Sequence, residues 1–237
     1  MNKTLIGSLA AIPLVAAGAF SFADSAEATS LRLSSGGTTV TTNDGDVTGI
    51  AGSTGYVGSI GNFLLDITTG ISKPSVGSVS LPGFNLNSQN VNINPGTLKV
   101  ELTETGFSST ANALDWVLAL SGNASKGSAN VKYSLYADGS NAAFGTATTL
   151  LATTSAYTTE YSDELYGTFD SALLNGNDFS VTLVMEIDQA AGSNTQIGAT
   201  LNSTASTSVP EPATLMGLGV VGAALAGIGR HQKAVKS

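Results

Sequence analysis

The 237-residue chain reads as an all-β protein, an antiparallel β-sandwich of jelly-roll type, flanked by an N-terminal signal peptide and a C-terminal apolar helix. Three observations carry that reading. Apolar side chains in the central region recur with a period of two, as they do on a half-buried strand. No apolar stripe of helical period is sustained there. Clusters of Asn, Asp, Gly and Ser, which tolerate tight turns, punctuate the alternating runs.

Taken in order, residues 31–54 are rich in Gly and Thr and carry no clear pattern, which suits either a ragged edge strand or a loop. Weaker strand patterns occupy 56–68 and 78–86. Leu98, Val100 and Leu102 then alternate with Lys99, Glu101 and Thr103, and Trp116, Leu118 and Leu120 alternate with Asp115, Val117 and Ala119. The phase of Trp116 places its indole in the core. Val131, Tyr133 and Leu135 repeat the pattern, a weaker one follows at 147–153, and the clearest runs from Phe179 through Val181, Leu183 and Met185 to Ile187. A last weak strand covers 196–201. Turns are expected at 43–46, 94–96, 121–123, 138–141 and 175–178. The sandwich thus spans 29–201, and the Ser/Thr-rich run 202–208 reads as a flexible tether. No internal repeat is evident, which argues against a solenoid.

The chain carries 9 basic and 17 acidic residues, a net charge of −8. Five of the basic residues, Arg32, Lys73, Lys99, Lys126 and Lys132, fall in the sandwich region. An acidic surface of this kind repels nucleic acid and anionic lipid, so nucleic acid is not an expected partner. There is no cysteine, so stability rests on packing rather than disulfides. A domain of this length buries enough surface for that.

At the N-terminus, Lys3, an apolar run over 5–19 and small residues beyond it form the three regions of a secretory signal peptide. Cleavage is expected after Ala23, with Ala28 as the alternative, so export machinery and signal peptidase are partners. The C-terminal end has a different order. Pro210 and Pro212 hold a Val209-Pro210-Glu211-Pro212 box extended, with the Glu211 carboxylate on a stiff stalk. Residues 213–228 carry no charge, and as a helix would reach about 24 Å, short of the ~30 Å hydrocarbon core. Arg230, Lys233 and Lys236 close the chain as a basic stop of the kind found on the cytoplasmic side.

Box, span and basic end in this order resemble the PEP-CTERM sorting signal. The resemblance implies recognition of Pro210, Glu211 and Pro212 by a membrane exosortase, a marginal or transient membrane anchor at 213–228, and an inner-membrane-anchored precursor. It also implies a Gram-negative type of host that makes exopolysaccharide, and a product at the cell surface or in the extracellular matrix of a biofilm. The basic residues are more dispersed here than the tight Arg/Lys cluster common in that family, and share the end with His231 and Gln232.

The expected function is therefore that of an exported, non-enzymatic surface or matrix component. His231 is the sole histidine and lies beyond the apolar span, so Ser-His-Asp, Cys-His and His- or Cys-ligated zinc chemistry is not expected of the sandwich. Glu186 and Asp188 project from one strand face about 7 Å apart, a spacing that suits a carboxylate pair but on a solvated face. No catalytic residue and no cofactor is assigned. Asp44 and Asp46, in an Asn43-Asp44-Gly45-Asp46 turn, are the side chains a calcium ion would take first, though no twelve-residue calcium loop follows. Asn123 and Asn202 head glycosylation sequons. The alternative function is a glycan-binding module or adhesin held by a single C-terminal transmembrane helix. Trp116, or the acidic and aromatic cluster of Glu160, Asp163 and Glu164 with Tyr157, Tyr161 and Tyr166, would present rings to sugar in that case.

Overall fold

A computed structural model describes residues 29–206, apart from 48, 93, 127, 128, 148, 175 and 176. The signal peptide, the Val209–Pro212 box, the apolar span and the basic end lie outside the described residues. Four strands come first: β1 (Thr29–Ser35), β2 (Thr38–Asn43), β3 (Ser53–Ile60) and β4 (Phe63–Ile71). They are followed by β5 (Phe84–Asn92), β6 (Gly96–Phe107), β7 (Leu114–Lys126) and β8 (Ala129–Asp138). The chain closes with β9 (Thr149–Thr153), β10 (Glu160–Phe169), β11 (Phe179–Gln189) and β12 (Asn194–Ala205).

Two six-stranded sheets result, one ordered β2-β1-β6-β11-β8-β9 and the other β10-β7-β12-β5-β4-β3, with antiparallel pairing throughout. Consecutive strands from β5 to β8 alternate between the sheets, and β9 to β12 return beside them. That eight-strand path is the jelly roll. The first four strands extend it, β1 and β2 on the β6 edge and β3 and β4 on the β5 edge.

The core lies between the sheets and follows the alternation. Leu98, Val100 and Leu102 of β6, Tyr133 and Leu135 of β8, and Leu183 and Met185 of β11 face Trp116, Leu118 and Leu120 of β7 and Leu201 of β12. Trp116 is 2% exposed and tilts against Phe169 with ring centroids 6.4 Å apart. Burial of each such aromatic side chain is worth about 1.5–3 kcal/mol.

Several local expectations are corrected. Residues 31–54 hold most of β1, all of β2 and the start of β3; β1 and β2 are joined at Gly36 and Gly37, whose φ of 57° and 81° suit a two-residue hairpin turn. The stretch 56–68 is not one strand; it falls within the β3–β4 hairpin, which turns at Gly61 and Asn62. In place of a strand over 78–86, β5 begins only at Phe84. Residues 121–123 are no turn: they lie inside β7, where Gly122 leaves room for the Tyr161 ring from the neighbouring strand. β12 continues to Ala205, so the first residues assigned to the tether are strand, paired with β7 as far as Leu114.

Candidate functional site

The outer faces of the two sheets differ. Over the first sheet, the β8–β9 connection folds back onto the strands. Ser180 Oγ donates to Ala142 O at 2.7 Å, and the Phe144 amide donates to Thr103 Oγ1 at 3.2 Å. Arg32 lies over the Phe144 ring and grips Glu101 with two bonds of 2.6 and 2.8 Å, while Lys99 reaches the same carboxylate at 2.9 Å. Burial pushes the Glu101 carboxyl up, but Arg32 and Lys99 outweigh it and hold the group below its usual range. This covering explains why β11 is buried on both faces over most of its length.

The outer face of the second sheet has no such cover among the described residues. Registers place its outward side chains in rows running across β5, β12, β7 and β10. One row is Asn87, Gly198, Ser121 and Ser162; the next is Gln89, Gln196, Asn123 and Glu160. On the other side lies Asn85, Thr200, Ala119 and Glu164. Small residues in the middle of the first row leave a trough of about 620 Å³. A Cβ on Gly198 would stand 3.1 Å from Asn87 Oδ1 and 3.3 Å from Ser121 Oγ, so the glycine keeps the floor low where its neighbours converge. Asn85 donates to Thr200 Oγ1 at 2.7 Å and accepts from Asn87 Nδ2 at 2.5 Å, which orders the amides along β5.

The acidic and aromatic cluster at 157–166 is split in two. It belongs to an edge strand, β10, and its approach. Tyr157 and Tyr161 turn inward and stack with centroids 4.2 Å apart, and Tyr161 shares a 2.6 Å hydrogen bond with the buried Tyr133 hydroxyl. Tyr157 donates to Asp163 at 2.5 Å. Burial pushes the Tyr161 phenol up to about 12, and burial also raises Tyr133 and Tyr157, the latter helped by Asp163. Only Tyr166 of the three cluster tyrosines is openly exposed, at 67%, donating to Glu164. Trp116, in the core, presents no ring to solvent.

Glu186 and Asp188 do project outward from β11, and Glu186 sits directly between Lys99 and Lys132 on the flanking strands. Asp44 accepts the Ser53 amide at 3.1 Å and Asp46 the Asn43 amide at 2.8 Å, so both carboxylates brace the turn. Among the described residues, no three His, Cys, Asp or Glu side chains gather as a metal site would need. Asn123 and Asn202 are both exposed, on the outer face of the second sheet.

A buried polar knot was not anticipated. Lys73 Nζ donates to Glu104 Oε1 at 2.9 Å and to Thr105 O at 2.7 Å, and lies 4.9 Å from the Phe107 ring centroid. Thr29 Oγ1 donates to the other Glu104 oxygen. Burial pushes the Glu104 carboxyl up against the pull of Thr29 and Lys73. A signal existed: Glu104 is in phase with Leu98, Val100 and Leu102, so the strand period itself points it inward.

Fold and faces together define an acidic jelly-roll sandwich with one partly covered outer face and one open, carboxamide-lined one. Its C-terminal segment identifies the class of exported protein further: residues 208–232 match the PEP-CTERM protein-sorting motif. The chain therefore carries that sorting signal, which implies an exported protein, anchored in the membrane before an exosortase processes it. No curated protein sequence matches the chain. Among solved structures, TmCBM61 in complex with beta-1,4-galactotriose is similar at 9% identity and a TM-score of 0.31, over 58% of this chain and 87% of that one. Infectious bursal disease virus Gx strain is similar at 8% identity and a TM-score of 0.34, over 77% of this chain and 54% of that one. Both scores fall short of a shared topology.

Proposed function

We propose that the protein is a non-enzymatic component of the cell surface or extracellular matrix, delivered by its sorting tail and associated with the exopolysaccharide of a biofilm. The observation that carries this reading is the placement of the sorting motif: it starts at residue 208, directly after the last strand ends at Ala205. The sandwich is then the cargo, released or displayed once the tail is processed. Its chemistry supports a passive role. The outward carboxylates Glu186 and Asp188 stand on a solvated face, with Glu186 between two lysines, which is a poor setting for a general acid.

The test is a Glu211→Ala change in the host. Processing predicts that intact mass of the native protein lacks the apolar span and the basic end, and that the variant retains both and stays with the inner membrane. A native product that keeps His231 on every molecule would defeat the sorting half of the proposal. Recovery of the native product solely from the inner membrane, with none at the surface or in the matrix, would defeat the other half.

A further inference from the structure

We propose that the trough on the outer face of β5, β12, β7 and β10 is a binding site for a strand of neutral polysaccharide. This rests on the reading that the sandwich works outside the cell among such polymers, and it assigns that role to a specific surface. Three observations converge there.

The first is shape. The trough lies across four strands, a width of about 14 Å at the ordinary strand spacing, and its floor is made by Gly198, Ser121 and Ser162. On one side it opens over β10, an edge strand, so a chain bound in it can extend beyond the sheet there. The volume of about 620 Å³ is that of a site for a few sugar rings.

The second is the lining. Asn87, Gln89, Gln196 and Asn123 rim the floor, and each side-chain amide offers donors and an acceptor together. Adjacent hydroxyls on a sugar offer the same pair in reverse. No Lys or Arg lines the trough, and its charged member is Glu160, so phosphate, sulfate and uronate polymers meet repulsion instead of a counter-charge. Protein interfaces concentrate aromatic, Met and Arg side chains at their centres; the lining here holds no Met or Arg, and its one aromatic, Tyr161, is turned inward to stack on Tyr157.

The third is the contrast between the faces. Part of the other sheet's outer face is occupied by its own β8–β9 connection, with Phe144 seated against Arg32, and the rest carries the charges of Lys99, Lys132, Glu186 and Asp188. The amides of β5 are meanwhile ordered in advance by the Asn87–Asn85–Thr200 chain of hydrogen bonds, which reduces the entropy lost on binding.

The experiment is native affinity electrophoresis of the protein as purified from its host, in gels containing hydroxyethylcellulose, arabinogalactan, dextran or alginate. At least one of the three neutral polymers is expected to retard the protein, and the anionic alginate is not. Gly198→Leu fills the floor and Gln196→Ala with Asn123→Ala strips the rim; each is expected to weaken retardation at least tenfold, with the thermal transition retained. Should Gly198→Leu fail to fold, the rim variant decides, because both its positions are exposed. Glu186→Gln, on the other sheet, is expected to bind as the native protein does. Equal mobility in all four gels, retardation by alginate alone, retardation that survives the rim variant, or a shift independent of polymer, as self-association would give, overturns the proposal. These outcomes are independent of the Glu211→Ala result: loss of processing leaves the trough intact, and loss of binding leaves the sorting route intact.

Discussion

Replacing Lys73 with methionine would leave Glu104 Oε1 facing a thioether where an ammonium stood, at a site where the two native side chains are 1% and 0% exposed. Breaking a buried pair on one side leaves an uncompensated charge and costs about 3–5 kcal/mol. The acceptor Thr105 O also loses its Lys73 donor, a further penalty of about 1 kcal/mol. Glu104 escapes part of the cost by taking up a proton. Its carboxyl is already raised in the folded protein, so the native state holds a proton more tightly than the unfolded chain does. The stability linked to that proton is full below the ordinary carboxylate range and is lost as pH rises through the folded value. Lys73→Met enlarges the upward shift, so its deficit should be greatest at about pH 8 and shrink towards about pH 5. Urea unfolding followed by Trp116 fluorescence at the two pH values measures this. Adding Glu104→Leu to Lys73→Met should recover stability relative to the single variant, since apolar replacement of both partners removes the stranded charge. A single-variant loss below about 1 kcal/mol at the higher pH, or a loss indifferent to pH, would refute the argument.

Two further outcomes are expected. Gly167→Ala sets a methyl into Trp116 Cζ2, and overpacking of this kind should cost about 1–3 kcal/mol, read as a lower urea midpoint; the native Trp116 emission should be blue-shifted and protected from acrylamide. In alkali, the Tyr161 phenol should keep its proton up to about pH 12, with Tyr133 and Tyr157 also titrating late. Because these folded values exceed the unfolded ones, their contribution is full below about pH 10 and fades as pH rises through them, which ultraviolet difference titration alongside unfolding midpoints would check.

The strands legible in the sequence are those whose inward positions are large and apolar: β6, β7, β8 and β11 all show the alternation that packs their cores. β5 was legible only at its start, Phe84 to Leu86, because beyond it Ser88 and Asn90 take inward positions, and the side-chain amide of Asn90 is buried without a hydrogen-bond partner. β10 was illegible for the opposite reason, since an edge strand exposes most of both faces and so shows no apolar alternation. Gly122 resembled a turn residue because nothing local reveals an aromatic ring arriving from β10. The sorting box was plain because its signal is contiguous. The trough was not, because Asn87, Ser121, Ser162 and Gly198 become neighbours only through register across four strands, and each alone reads as an ordinary solvated position.

β12 runs from the trough to the pole where the chain leaves the sandwich. Its last residues pair with the start of β7, and the Ser206 amide bonds to Ala113 O, so the chain leaves the sandwich towards its sorting tail at that pole. Thr29, where the described chain begins, pairs with Glu104 near the end of β6, at the same pole. Gln196 lies nine residues back along the strand from Ala205, about 30 Å away at the ordinary strand rise. The carboxamide trough therefore lies at the opposite pole of the sandwich from the one where the chain runs on towards its sorting tail.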